Sequence, residues 1–223
     1  MKPARSLLYV YAVCPRLHAR VDLTGVAGEP LQIFAAAGLA AVIGELVRAP
    51  RVNITAFRKH DAVVRALACR FPAVVPLRFG SCLAGTEDLR QVLEAHATPL
   101  RAKLCLLRGR VQMTLRGVDH GCGRPAKSDQ DARAATGRAY LQARAITTVR
   151  EDEVPSLAPL LPAVSRWVRA ERIEKRAGIV SVHHLVPQGC VAAYARAMHR
   201  TAEAECVRMT LTGPFPPYAF GRL

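Results

Sequence analysis

The sequence lacks an apolar run long enough to cross a membrane. The longest candidate, residues 34–47, is interrupted by Gly38, Gly44 and Glu45, whereas a transmembrane helix needs about 20 consecutive apolar residues. A shorter run over residues 7–13 is not followed by a convincing small-residue cleavage site, so it predicts a strand and not a signal peptide. We therefore expect a soluble cytoplasmic protein.

The cysteine pattern excludes two common kinds of site. The chain has seven cysteines, an odd number, and no two of them form a C-x-x-C pair. This spacing argues against both a disulfide framework and a zinc ribbon, and it fits a reducing compartment. A phosphate-binding P-loop and a complete dinucleotide fingerprint are also missing from the sequence. We therefore predict no cofactor and no metal.

Acidic residues are scarce, which leaves a strongly basic chain. There are 17 Asp and Glu against 32 Lys and Arg, a formal charge of +15, of which residues 1–108 carry +8 and residues 109–223 carry +7. Such a charge makes nucleic acid the alternative partner. However, the basic residues form no concentrated stretch, the aromatic content is only 5%, and no RNA-binding signature is present, so the charge does not make nucleic-acid binding the leading hypothesis.

The first half of the chain predicts an α+β domain over residues 1–108. Apolar and β-branched runs predict strands over residues 6–13, 31–34 and 39–47, the last two forming a hairpin around Gly38. Helical spacing then begins at Asn53 or Thr55, either of which can cap a helix that ends at Pro72. Residues 74–80 favour an edge strand or a bulge, because Pro76 cannot donate to a sheet ladder. A second helix over residues 86–107 should kink at Pro99.

The second half, residues 109–223, predicts another α+β domain that is close to a ferredoxin-like arrangement. Apolar and polar residues alternate after Gly109, which indicates a strand with residues 111, 113 and 115 on its buried face. A glycine-rich loop follows at residues 120–131. We then expect helices over residues 132–150 and 163–176, a strand over 179–186, a helix over 190–205 and a final strand over 207–211 that ends at Gly213-Pro214.

Histidines are the most obvious candidates for chemistry, yet each has a structural explanation. His183 and His184 are adjacent on a predicted strand, so their side chains should point to opposite faces and cannot share a metal ion. The simplest interpretation makes one imidazole half-buried and the other exposed. His60 and Asp61 could form a couple, but without a credible nucleophile His60 is expected to make a structural hydrogen bond.

Two stretches are more specific, and they resemble the gas-vesicle GvpF/GvpL family. The first combines residues 60–63 (HDAV) with residues 75–80 (VPLRFG), and the second is residues 213–220 (GPFPPYAF). Residues 8–11, 38–42, 140–141 and Arg144 are similar to the family pattern in the same order. Phe215 departs from the pattern, since the family commonly has tryptophan at that place. Residues 111–113 and the strongly basic charge also depart from it.

This resemblance implies an α+β two-domain protein with no known catalysis. The family associates with the hydrophobic gas vesicle shell protein or with other accessory proteins while the shell is built. An edge strand or an apolar groove can cover the apolar face of an unassembled subunit. We therefore expect a partner-binding surface that includes Pro76, Arg78, Phe79, Phe215, Tyr218 and Phe220. The alternative is that these residues hold the two domains together.

Overall fold

The computed structural model describes residues 7–16, 21–118, 157–176 and 178–221. Contacts divide the chain into two compact units, Met1–Gln112 with Pro214–Leu223, and Met113–Gly213. The sequence placed the C-terminal tail with the second half of the chain, whereas in the structure residues from Pro214 onward belong to the first unit. The predicted loop at 120–131 and the predicted helix at 132–150 lie outside the described residues.

The first unit contains a five-stranded antiparallel sheet. Its strands are β1 (Leu7–Pro15), β2 (Leu31–Ala36), β3 (Leu39–Leu46), β4 (Val75–Pro76) and β5 (Cys82–Leu83). The order is β2-β3-β1-β4, and β5 also pairs with β1. The predicted hairpin around Gly38 is confirmed, because Ala37 and Gly38 take φ values of 49° and 72° in the turn between β2 and β3.

Three helices accompany this sheet. Helix α1 (Ile54–Arg70) begins as predicted at Asn53, whose side chain accepts a hydrogen bond from the Ala56 N–H, and it ends before Pro72. Helices α2 (Thr86–Ala95) and α3 (Ala97–Leu107) are separate. The prediction of one helix kinked at Pro99 is therefore wrong. The proline ring clashes with the carbonyl four residues earlier, so the chain breaks at His96 and starts a new helix.

The second unit contains a four-stranded sheet with the order β7-β8-β6-β9. Its strands are β6 (Arg110–Val118), β7 (Ala170–Arg176), β8 (Ile179–Pro187) and β9 (Thr210–Phe215). A short helix α4 (Leu161–Val164) precedes β7, and α5 (Val191–Ala204) joins β8 to β9. The predicted final strand therefore begins three residues later than expected and continues past Gly213-Pro214.

The predicted helix over residues 163–176 is wrong for most of its length. Residues 170–176 form β7, which pairs antiparallel with β8 from Ala170 opposite Leu185 to Arg176 opposite Ile179. Glutamate, lysine and arginine favour a helix only weakly, and pairing with a neighbouring strand overrides that preference. Ile173 is the member of β7 that enters the buried core.

Each unit has its own hydrophobic core. In the first, Tyr9 and Tyr11 of β1 pack with Val63 and Leu67 of α1. In the second, the core lies between the sheet and α5, and it includes Met113, Leu115, Val180, Val182, Tyr194 and Met198. The sequence predicts Gln112 and Thr114 on an exposed face of β6, but both side chains are buried. The prediction of a single buried face is therefore wrong, because both faces of this strand are covered.

A buried tyrosine and a glutamate fix the loop that precedes β2. The Tyr11 hydroxyl donates to Glu29 Oε1 at 2.5 Å and accepts the Val26 N–H at 2.8 Å. Burial is the main reason that the pKa of Tyr11 is raised, and the bond to Glu29 adds to it. Gly44 leaves room for this carboxylate, because a Cβ atom there would lie 2.7 Å from Glu29 Cγ. The loop is therefore held to the sheet by a side chain.

Candidate partner-binding site

The first unit contains an apolar pocket of about 640 Å³ between β1 and the helix pair α2 and α3. Among the described residues that line it, Arg78 alone carries a charge. The aliphatic lining residues are Val10, Val13, Val75, Leu77, Leu83, Leu89, Val92, Leu93 and Leu100. Val92 is 39% exposed whereas Leu89 and Leu93 are buried, so Val92 marks the rim of the pocket.

A β-bulge in β1 gives the pocket its floor. The pairing of β1 with β3 shifts register between Val10 and Ala12. In a regular strand side chains alternate, so Val10 and Val13 would point to opposite faces. The extra residue in the bulge places both valines on the same face of the strand, the face that lines the pocket. Tyr9 and Tyr11 remain in the core shared with α1, so this strand serves two different environments.

The edge of the sheet is interrupted by an excursion of residues 78–80. Before it, the Leu77 N–H donates to the Tyr11 carbonyl, and after it the Val10 N–H donates to the Ser81 carbonyl, both at 2.9 Å. Gly80 adopts a φ of 86°, in the region that favours glycine. Pro76 lies in an edge strand as predicted. The continuous strand expected over residues 74–80 is instead two short strands around this excursion.

Tyr9 and His60 fasten the excursion to β1 and α1. His60 Nε2 lies 3.2 Å from the Leu77 carbonyl oxygen, which can only accept, so Nε2 carries the proton. His60 Nδ1 then accepts from the Tyr9 hydroxyl at 2.9 Å, and that hydroxyl accepts the Gly80 N–H at 3.0 Å.

Burial favours the neutral form of both side chains in this chain of hydrogen bonds. It lowers the pKa of His60 below its ordinary value and raises the pKa of Tyr9 to about 12. The hydrogen bond predicted for His60 is present, and both of its ring nitrogens hold the sheet edge.

Asp61 holds the C-terminal tail, although it is adjacent to His60 in the sequence. The Tyr218 hydroxyl donates to Asp61 Oδ1 at 2.6 Å, and Arg65 Nε donates to Asp61 Oδ2 at 2.5 Å. The Arg65 guanidinium also lies over the Phe215 ring, 5.0 Å from its centroid. Burial raises the pKa of Tyr218, and the hydrogen bond to Asp61 adds to that rise.

The end of the tail packs against the edge strand. The Ala219 N–H donates to Gln112 Oε1 at 2.8 Å. A Cβ atom on Gly221 would lie 2.9 Å from the Pro76 carbonyl oxygen, so only the missing side chain permits this approach. Tyr218 and Gly221 contribute to the lining of the pocket. The tail therefore forms part of the pocket wall.

The six predicted site residues fall into two groups. Pro76, Arg78 and Tyr218 line the pocket. Phe79 instead contacts Phe57 at the beginning of α1, with ring centroids 4.3 Å apart. Phe215 lies beneath Arg65, and Phe220 is half-buried in the short 3₁₀ turn Tyr218–Phe220.

Sequence reasoning did not assign the α2 and α3 side of the pocket to a site. Leu89, Val92, Leu93 and Leu100 form an apolar stripe, and such a stripe has the same spacing whether it fills a core or lines a cavity.

The two adjacent histidines of the second unit are both part of its interior. His184 Nδ1 lies 2.7 Å from the Tyr194 hydroxyl and His184 Nε2 lies 2.6 Å from Glu171 Oε2. His183 Nδ1 lies 3.1 Å from Thr114 Oγ1. Their different partners agree with the prediction that they point to opposite faces. The interpretation that one of them is exposed is wrong, because both are buried.

Among the residues described, no group of three or more His, Cys, Asp or Glu side chains is arranged to hold a metal ion. Within that same part of the chain, no helix combines the length and the apolar character that a membrane crossing requires.

Comparison with known proteins gives a consistent result. The sequence model of a family described as "Gas vesicle synthesis protein GvpL/GvpF" matches residues 7–222. The chain is similar in fold to the crystal structure of gas vesicle protein GvpF from Anabaena, with a TM-score of 0.72, 16% identity, and coverage of 98% of this chain and 97% of that one. It is also similar to GvpF from Microcystis aeruginosa, with a TM-score of 0.71, 14% identity, and coverage of 97% and 99%. No curated protein sequence matches the chain.

Proposed function

The chain belongs to the GvpL/GvpF family of gas vesicle synthesis proteins, and from this premise we propose that it binds the hydrophobic shell protein during gas vesicle assembly. In this proposal it is a non-enzymatic cytoplasmic accessory protein, and its pocket takes up apolar side chains of an unassembled shell subunit. The observation that supports the proposal is the apolar pocket of about 640 Å³ in the first unit. Other accessory proteins are further candidate partners.

The size and lining of the pocket suit a few aliphatic side chains. Its volume lies within the range of roughly 300 to 1,000 Å³ that is typical of ligand pockets. Each valine, leucine or isoleucine side chain that becomes fully buried contributes about 1.5 to 3 kcal/mol. Two or three such side chains would therefore give enough free energy for specific but reversible binding, which an assembly factor needs in order to release its cargo.

Insertion into the pocket is a better binding mode than addition of a strand to the sheet edge. Pro76 has no N–H to offer to an added strand. Gly221 of the tail packs closely against the carbonyl of Pro76. A partner strand would have to displace the tail at this point, whereas apolar side chains that enter beside Val92 would not.

The fold of the second unit supports a finer description of the architecture. We propose that residues 109–223 without the tail form a ferredoxin-like domain. Strands β6, β7, β8 and β9 have the sheet order β7-β8-β6-β9, and α5 connects β8 to β9. A boundary near residue 109 then separates two α+β domains. A chain that ends at residue 213, compared with the whole chain by circular dichroism, would test whether the tail is needed for the first domain to fold.

Co-purification tests the proposed partner. The tagged protein is co-expressed with the major shell protein, treated with nuclease and purified at low and at high salt. The Val92→Lys variant places a charge at the pocket rim and should lose the shell protein. The matched control is Ile179→Lys in the second unit, where the side chain is 48% exposed. Equal retention by both variants would contradict binding in the pocket.

The salt dependence separates this proposal from the alternative function. Apolar insertion should persist at high salt, because salt screens charges and does not weaken apolar burial. Binding to nucleic acid should decrease steeply as salt is raised, because each neutralised phosphate releases counterions. If only nucleic acid were recovered, and only at low salt, the net charge of +15 would become the leading evidence for the function.

A further inference from the structure

A second exposed surface lies at the beginning of α1 and is separate from the pocket. Val47, Val52, Ile54 and Phe57 have exposed fractions of 83%, 78%, 67% and 43%. The described part of the chain has eight large hydrophobic side chains with an exposed fraction of 37% or more. Half of these eight lie within eleven consecutive residues. Scattered exposed apolar residues need no explanation, whereas a cluster of this kind marks an interaction surface.

Basic side chains lie among these apolar ones. Arg48, Arg51, Arg58 and Lys59 are exposed, and residues 47–59 contain no Asp or Glu. Among the residues that the structure describes, none of these four cations forms an ion pair. The next acidic residue along α1, Asp61, is already bound to Arg65 and Tyr218. We call the exposed side chains of residues 47–59 the basic apolar patch. Ala56 is not part of it, because it lies with His60 on the buried side of the helix.

The patch is fixed in place before any partner arrives. Asn53 Oδ1 accepts the Ala56 N–H at 2.8 Å, and its Nδ2 donates to the Arg51 carbonyl at 3.3 Å. Phe57 is held by its contact with Phe79. Side chains three or four residues apart lie on the same side of a helix, so Ile54, Phe57 and Arg58 are neighbours. An ordered surface loses less conformational entropy on binding.

We propose that the basic apolar patch binds an acidic amphipathic segment of a protein partner, one in which carboxylates flank apolar side chains. The carboxylates would pair with the four cations, and the apolar side chains would cover Val52, Ile54 and Phe57. Valine and isoleucine provide no stacking surface for bases, and the ring of Phe57 already packs against Phe79. The patch therefore offers little surface for base stacking, which disfavours nucleic acid. Only the first turn of α1 is exposed in this way, whereas membrane-surface helices expose a long apolar face. The proposal does not depend on the function of the pocket.

The test uses a synthetic peptide of about 15 residues, long enough for four helical turns, with leucine and glutamate at amphipathic spacing. The full-length protein is compared with Arg51→Glu/Arg58→Glu, with Val52→Ser/Ile54→Ser and with Arg196→Glu/Arg200→Glu. The last variant makes the same change of charge on exposed residues of α5 in the second unit. Single-stranded DNA and phosphatidylserine vesicles serve as competing probes.

Both patch variants should weaken binding of the peptide by about ten-fold or more, which corresponds to about 1.4 kcal/mol, while the α5 variant should change it by less than about two-fold. Equal weakening in both charge variants would overturn the proposal in favour of general charge attraction. Patch-dependent binding of DNA or vesicles without binding of the peptide would overturn the class of partner. Failure of the Val92→Lys test would leave this result unaffected, so the two proposals can fail separately.

Discussion

Replacing Tyr9 by phenylalanine removes one hydroxyl that joins the sheet edge to α1. This hydroxyl donates to His60 Nδ1 and accepts the Gly80 N–H. Gly80 is exposed and can bond to water instead, whereas His60 is buried and loses its donor. Leaving a buried acceptor unpaired costs about 1 to 3 kcal/mol. We therefore expect the Tyr9→Phe variant to be destabilised by that amount.

A double-mutant cycle separates the hydrogen bond from the packing of the ring. His60→Leu alone also removes the bond to the Leu77 carbonyl, so it should be destabilising by a similar amount. The double variant Tyr9→Phe/His60→Leu contains neither polar group. Replacement of both partners leaves no unpaired acceptor between them, so the double variant should be less destabilised than the sum of the single variants by about 1 to 2 kcal/mol.

The assay has to report on the first unit. Trp167 is the single tryptophan of the chain and belongs to the second unit, so its fluorescence during urea unfolding serves as the internal control. Hydrogen exchange of the amides over residues 77–81, followed as urea is raised, measures the free energy of opening at the sheet edge. A change below about 0.5 kcal/mol, which is usual for a neutral surface substitution, or a coupling energy near zero would refute the reasoning.

Three other predictions follow from close contacts and from burial. Burial lowers the folded-state pKa of His60 below the unfolded value of 6.5. Its contribution to stability is therefore present above pH 6.5 and is lost as the pH falls towards the folded pKa, by at most about 1.4 kcal/mol per pH unit. Between pH 7.5 and pH 5.5 the free energy of unfolding from urea melts should fall less in the His60→Leu variant than in the unchanged protein, and an equal fall would contradict this. Gly221→Ala places a Cβ atom 2.9 Å from the Pro76 carbonyl oxygen, so we expect a cost of about 1 to 3 kcal/mol and faster proteolysis of the tail, whereas unchanged proteolysis would show that the tail does not pack there. Gly44→Ala places a Cβ atom 2.7 Å from Glu29 Cγ and should cost a similar amount in urea melts, about 1 to 3 kcal/mol; the added substitution Glu29→Ala should recover part of that loss, and no recovery would place the strain elsewhere.

Elements whose boundaries are encoded locally could be predicted from the sequence. The hairpin of β2 and β3 depends on Gly38 in its turn, and α1 depends on the Asn53 cap and on Pro72 beyond its end. Each of these signals lies within a few residues of the boundary that it sets. Strand β7 could not be predicted in this way, because its conformation depends on pairing with β8 and its own residues favour a helix weakly.

The candidate site was predictable only in part, because its walls come from distant segments. Asp61 and Tyr218 are separated by 157 positions, and the bulge that directs Val10 and Val13 into the pocket has no clear signal in the sequence. The motifs could therefore indicate which residues matter, but not that three of the six predicted residues line a pocket while Phe79 packs on the α1 side of the sheet.

The contacts also explain why the motifs that resemble the family occur together. His60 holds the excursion that contains Arg78 and Gly80, Asp61 holds Tyr218, and the tail then packs on Pro76. The motifs thus support one another and form one wall of the pocket. A substitution in them can abolish binding merely by moving this wall. Loss of binding at Tyr218 alone would therefore not identify a contact with the partner, whereas loss at Val92, which has no part in these anchoring bonds, would.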